Sequence, residues 1–253
     1  MKNIVKNLWV IVISTAIIFS MTGCGDGSSK SVSSSLGNTL ALSSDKTFYL
    51  INGFYLGDLP AIAFNEYSGS VLTITEPASG EPGFIGADGK FDFVMGAPNV
   101  NLLVSASEIM EDISNGLYTD LKVSNEDIKA FSISGFNVSG SDYSNFSRMN
   151  DSTNYSNNES SITMTVNSAK VNYIWVDNNI TVSASKASLP AGELGYPVPV
   201  TVNALNISLK KGWNITRTSI TGSVSRFLSE DVSGSVTVSI ATGDSDALRW
   251  VLD

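Results

Sequence analysis

Alternation with a period of two is the feature that most constrains this chain. Ile162, Met164 and Val166 alternate with Thr163 and Thr165, and Val236, Val238 and Ile240 alternate in the same way. Successive side chains of a strand point to opposite faces, so such runs predict half-buried β-strands. Val171 to Val176 is apolar on both faces, with Tyr173 and Trp175 on one and Ile174 and Val176 on the other, which suits a central strand. Asp177-Asn178-Asn179 reads as a turn into Ile180, Val182 and Ala184. A loop from Pro190 to Pro199 leads to Val200–Leu209, and Lys211-Gly212 then turns the chain into Trp213–Phe227. Thr242-Gly243-Asp244 turns it again toward Leu248, Trp250 and Leu252. Strands at this spacing predict a mainly β fold, an antiparallel sandwich or barrel-like structure.

The N-terminal half carries the same signal with one helical interruption. Thr47 to Leu56 is rich in aromatic and branched residues. Leu72 and Ile74 share a face in Val71–Glu76, as do Phe91, Phe93 and Met95 after the Ala87-Asp88-Gly89 turn. Val100 to Val104 reads as another short strand. Short helices are expected between 105 and 130. Ser105 and Glu108 stand at capping-box spacing, Ile109 and Ile113 fall on one face, and Gly116 is a natural stop. A second turn begins at Ser124. Residues 47–140 and 162–253 thus form two β regions, and whether they make one domain or two stays open. The polar stretch 141–161 between them reads as a linker or long loop. Its Asn145, Asn154 and Asn158 triplets follow from Asn/Ser/Thr-rich composition.

The start of the chain has the layout of an export signal. Lys2 and Lys6 precede an apolar run from Leu8 to Phe19, too short for the roughly 20 apolar residues a permanent span needs. Met21-Thr22-Gly23-Cys24 follows, and Cys24 is the only cysteine. This segment resembles the bacterial lipoprotein signal, whose lipobox ends in two small residues and the modified cysteine. Met21 departs from the leucine usual there. The resemblance covers residues 1–24 alone. It implies cleavage before Cys24, lipid on its thiol and amine, and a membrane partner held through that lipid. Residues 24–46, rich in Gly and Ser, then read as a tether, with an end-to-end distance of roughly 25 Å for a coil of ~20 residues. Gly25 rather than aspartate follows the cysteine, which by the same resemblance favours the outer membrane of the cell envelope in a host that has one.

Charge and absences narrow the function. The net charge is −9, and removal of Lys2 and Lys6 with the signal makes it more negative. That argues against nucleic acid as a partner and against electrostatic binding to anionic lipid. The sequence has no histidine, which excludes Ser-His and Cys-His catalysis and histidine zinc sites. With Cys24 committed to lipid, no thiolate chemistry remains, and no phosphate-binding glycine loop is present. No cofactor is implied. Carboxylates survive as candidates for glycosidase chemistry, but Glu66, Glu76, Asp92 and Glu193 show no spacing that selects a pair.

The remaining candidates are binding groups. Asp244 and Asp246 offer hard oxygen ligands for calcium, although they do not match a calcium loop and are ordinary turn residues. Glu108, Glu111, Asp112, Asp120, Glu126 and Asp127 form either a cation or partner surface or a solvated helix face. Trp175, Trp213 and Trp250 could stack on sugar rings, or fill a core. The sequence therefore points to an envelope lipoprotein whose β domain binds a protein or glycan, or serves as structure, without chemistry of its own. The rival is a barrel that carries a hydrophobic ligand in a cavity lined by Phe91, Phe93, Tyr173 and Trp175. A carboxylate glycosidase is the lesser alternative.

Overall fold

The computed structural model describes residues 37–44, 49–56, 59–66, 70–75, 83–140, 145–229, 231–245 and 248–252. In chain order the first strands are β1 (Leu40–Ser44), β2 (Tyr49–Leu56), β3 (Leu59–Glu66), β4 (Leu72–Thr75), β5 (Gly83–Ile85) and β6 (Phe91–Met95). Then come β7 (Val104–Ser105), helix α1 (Ala106–Ser114), β8 (Lys122–Val123), β9 (Lys129–Ile133), β10 (Phe136–Ser139), β11 (Asn145–Asp151) and β12 (Asn154–Asn158). The last are β13 (Ser161–Val176), β14 (Ile180–Ala184), β15 (Ala187–Leu189), β16 (Val200–Val202), β17 (Leu205–Leu209), β18 (Gly212–Phe227), β19 (Val232–Thr242) and β20 (Arg249–Leu252).

Two 16-residue strands set the frame. β13 and β18 pair antiparallel along their whole length, from Ser161 opposite Phe227 to Val176 opposite Gly212. β19 adds to β18, β16 runs parallel to β19, and β15 closes that edge. Along its other edge β13 meets β12, β11 and β9 in turn. From β11 the sheet continues through β10, β4, β5, β6 and β1, and through β20 to β2 and β3. A small sheet of β8, β14 and β17 stands apart. The fold is mainly β, antiparallel in all but two pairings among the described residues, as a sandwich or barrel-like structure requires.

Opposite faces of β13 serve different cores. Ala169, Val171, Tyr173 and Trp175 join Trp213 in a core closed over by β1, β4, β6, β10 and β20. Its far wall curls back onto β18: the Trp213 backbone N–H donates to Gly37 O at 2.7 Å, and its indole Nε1–H to Gly96 O at 3.0 Å. Gly212 sits at φ 96°, and a Cβ there would run into the Gly37 carbonyl, so glycine is required at that corner. Val166, Ile174 and Val176 face the other way, with Ile220, Val236, Val238 and Ile240. They pack under β14, β17 and α1, through Ile180, Val182, Leu205, Ile207, Ile109 and Met110. Helix α1 begins as its capping box predicts, with Ser105 Oγ accepting from Glu108 N–H at 3.2 Å. It ends on left-handed Asn115, one residue before Gly116.

Four expectations change. Residues 40–44 belong to the fold rather than to a tether, because Leu40 and Leu42 alternate into the first core. The stretch 141–161 is no linker: β11 and β12 lie within it and join the main sheet. Val100–Leu102 is a 3₁₀ turn instead of a strand, capped when Asn99 Oδ1 accepts from Asn101 N–H. Val200–Leu209 breaks at Asn203 into β16 and β17, which belong to different sheets. The pairing of β9 with β13, and of β10 through β11 with β13, joins both β regions into one sheet.

Candidate functional site

Trp175, Trp213 and Trp250 are core residues, so none of these three offers a ring to a ligand. Trp213 is fully buried, and Trp175, Trp250 and Tyr173 are more than nine-tenths buried. Their rings interdigitate. Trp250 stacks on Phe146 at 4.9 Å and meets Phe91 edge-on at 4.9 Å, while Phe93 meets Phe136 at 5.1 Å. Burial pushes the Tyr173 phenol well above the ordinary tyrosine range, which keeps it neutral. Phe91 and Phe93 pack within the same cluster. Space that a carried ligand would need is thus filled by rings at contact distance among these residues.

The acidic candidates serve the fold. Asp244 binds Arg148, whose Nε lies 2.9 and 3.0 Å from its two carboxylate oxygens. That guanidinium also lies over the Trp250 ring, 5.8 Å from the centroid. Asp246 and Cys24 lie outside the described residues. The Asp177 and Asn179 side chains cap turns, accepting from the backbone N–H groups of Lys129 and Lys211. Asp120 accepts from Ser185 N–H, and those hydrogen bonds hold its carboxyl below the usual range. Glu111 and Asp112 border a cleft of about 430 Å³ beside Tyr118, whose hydroxyl donates to Asn203 O at 2.7 Å. Asp92 and Glu193 are exposed; the side chains of Glu66 and Glu76 are outside the described set.

A surface that the sequence reading passed over emerges from the strand register. The odd-numbered side chains of β18 run Trp213, Ile215, Arg217, Ser219, Thr221, Ser223, Ser225 and Phe227. They begin in the first core and leave it at Arg217, and the corresponding change on β13 comes at Asn167, Thr165 and Thr163. Beyond that line the covering sheet stops, and the face is hydroxyl-rich. Opposed residues share a face, so the ladders assign its rows. Ser156, Thr163, Ser225 and Ser233 form one row; Asn154, Thr165, Ser223 and Ser235 form the next. Asn167, Thr221, Thr237, Thr201 and Ser188 form a third across five strands. Ser219 and Ser239 begin a fourth, extended by Asn203, whose Nδ2 donates to Ser239 Oγ at 2.7 Å.

This face is open to solvent and carries no charge within its rows. Thr165, Ser223, Ser233 and Ser235 are exposed, and Thr163, Ser225, Thr221 and Thr237 are half-buried by one another. The Thr163 and Ser225 hydroxyls lie 2.8 Å apart. Rows repeat about every 6.7 Å along the strands, with side chains about 4.8 Å apart across them. Arg217 borders the field at the core end. At the far end Phe227 stands on the same face, opposite Ser161, and is 39% exposed. Leu228 beside it is 82% exposed. The only sequence signal was the Ser/Thr half of the alternation, which by itself says no more than that a face is wet. No protein-family model, curated protein or solved structure matches the chain.

Proposed function

We propose that this chain is a lipid-anchored protein of the bacterial cell envelope whose β domain binds a partner and performs no chemistry of its own. The observation that carries the binding part is the uncovered, uncharged hydroxyl face of β13, β18 and β19. Position supports it as well. Gly37, the first described residue after Cys24, meets Trp213 at the core end of β18. Phe227 lies about 45 Å farther along the strand, so the outer end of the hydroxyl face is far from Gly37. The packed rings of Phe91, Phe93, Phe136, Phe146 and Trp250 favour a solid binding domain over a carrier.

Expression of the full chain in a bacterial host fed labelled palmitate tests the anchor. The chain is expected to carry label and to sediment with membranes, and Cys24→Ala is expected to abolish both. A wild-type chain that stays unlabelled and soluble would sink the lipoprotein reading. Native mass spectrometry of the same material tests the carrier. A hydrophobic mass that co-purifies and is lost on denaturation would replace the binding-domain reading.

A further inference from the structure

We infer that the hydroxyl face binds a neutral polysaccharide, with its chain lying along the rows and one sugar ring against Phe227; this rests on the binding-domain reading above. Each serine or threonine hydroxyl donates one hydrogen bond, accepts two, and rotates to suit its partner. The field is therefore a surface of adaptable donors and acceptors at regular intervals, and a polyhydroxy chain presents the matching set. Thr165, Ser223 and Ser235 lie exposed at its centre. No carboxylate or cation stands within the four rows, although Arg217 borders them at one end, Asp231 lies opposite Phe227 at the other, and the whole chain carries a net charge of −9. A partner complementary to those rows is itself uncharged: an anionic polymer would find a cation only at the core end, in Arg217, and would be repelled by the acidic remainder.

Phe227 supplies what hydroxyls lack. Its ring is exposed on the same face at the end of the rows, where it offers an apolar platform to the C–H face of a sugar. Sugar hydroxyls only replace water hydroxyls at the rows, so each exchange gains little. Binding must then come from many such exchanges made together along a single chain. From Phe227 to Ser219 the field runs about 26 Å, which a polymer spans and a single sugar does not. Retention should accordingly depend steeply on ligand length.

The test uses the full chain in a detergent without a sugar headgroup. Its mobility is measured by affinity electrophoresis through gels that contain amylose, β-1,3-glucan, galactomannan or the anionic polymer polygalacturonate. Wild type is expected to be retarded by at least one neutral polymer and not by polygalacturonate. A trisaccharide of the same linkage is expected to compete at least tenfold more weakly than the polymer. Phe227→Ala should weaken retardation about tenfold, and the pair Thr165→Lys and Ser223→Lys should abolish it. Val100→Ser, an exposed apolar position outside the field, should leave it unchanged. Thermal melts of each variant identify any that fail to fold, and Thr165→Lys alone then replaces the pair. Free migration of wild type in every neutral gel, retardation that the lysine variants keep, or preference for polygalacturonate overturns the inference. Palmitate labelling of the same samples separates this failure from failure of the anchored-protein reading.

Discussion

Trp175 and Trp213 stand opposite one another on β13 and β18, and they differ in one respect that can be measured. The Trp213 indole N–H donates to Gly96 O, whereas the Trp175 Nε1 is buried without a partner among the described residues. Phenylalanine at either site keeps a ring and removes the N–H. At Trp213 that forfeits a hydrogen bond, with a net contribution of about 1 kcal/mol. The smaller ring loses about 1 kcal/mol more in packing, so Trp213→Phe should destabilise by about 2 kcal/mol. At Trp175 the same packing loss is offset, because an unsatisfied buried donor costs about 1–3 kcal/mol and the substitution removes it. Trp175→Phe should therefore be close to neutral.

For a chain of this size 1 kcal/mol moves Tm by about 2–4 °C. The expected result in circular-dichroism melts of the full chain is a loss of about 4–8 °C for Trp213→Phe and of at most about 2 °C for Trp175→Phe. Urea unfolding gives the same comparison as a shift in midpoint at unchanged slope. Equal losses at the two sites, or a larger one at Trp175, would refute the reasoning. Either result would mean that the bond to Gly96 contributes nothing, or that the Trp175 N–H is satisfied after all.

Other expectations follow from the same geometry. Gly212→Val places a side chain at φ 96° against the Gly37 backbone and should cost at least about 2 kcal/mol, read as a lowered urea midpoint. Asp244→Ala releases Arg148 from a partly exposed pair, so the loss should be about 0.5–1 kcal/mol and should shrink in 1 M salt. Burial pushes the Tyr118 phenol up to about 12 from its ordinary 10.0. The neutral form is the one the fold favours, so that stabilisation is complete below pH 10.0 and is lost as pH rises toward 12. Urea midpoints measured across that range should fall, and Tyr118→Phe should reduce the fall without removing it, since Tyr173 is raised as well.

The sequence makes β18 and β19 legible because both alternate cleanly between a buried and a wet face. It hides β11 and β12 for the opposite reason. Asn154–Asn158 has no aliphatic side chain, and β12 is held by its register with β13 instead of by burial. β1 was lost among serines, since two leucines give little periodicity to read. Val200–Leu209 looked continuous because apolar residues resume after Asn203, and only the three-dimensional corner there shows the change of sheet. The candidate site was the least legible part. Tryptophan is equally at home in a core or on a sugar, and exposure decides between the two. Phe227 ended a strand without distinction, and its meaning depends on which face it shares with the hydroxyls.

Solubility alone accounts poorly for that face. A wet sheet surface is ordinarily protected by charges, which keep flat strands from associating and fix their register. This chain has 24 acidic residues to place, and none stands in the hydroxyl rows. The same rows are neutral and rich in groups that bond equally well to copies of themselves, which is a hazard for a protein concentrated on a membrane. Retention of such a surface is intelligible if a neutral, hydroxylated partner covers it. If no partner does, the physics favours self-association face to face through the hydroxyl rows of β13, β18 and β19, and the Thr165→Lys substitution that blocks a glycan would then make the protein less prone to aggregate.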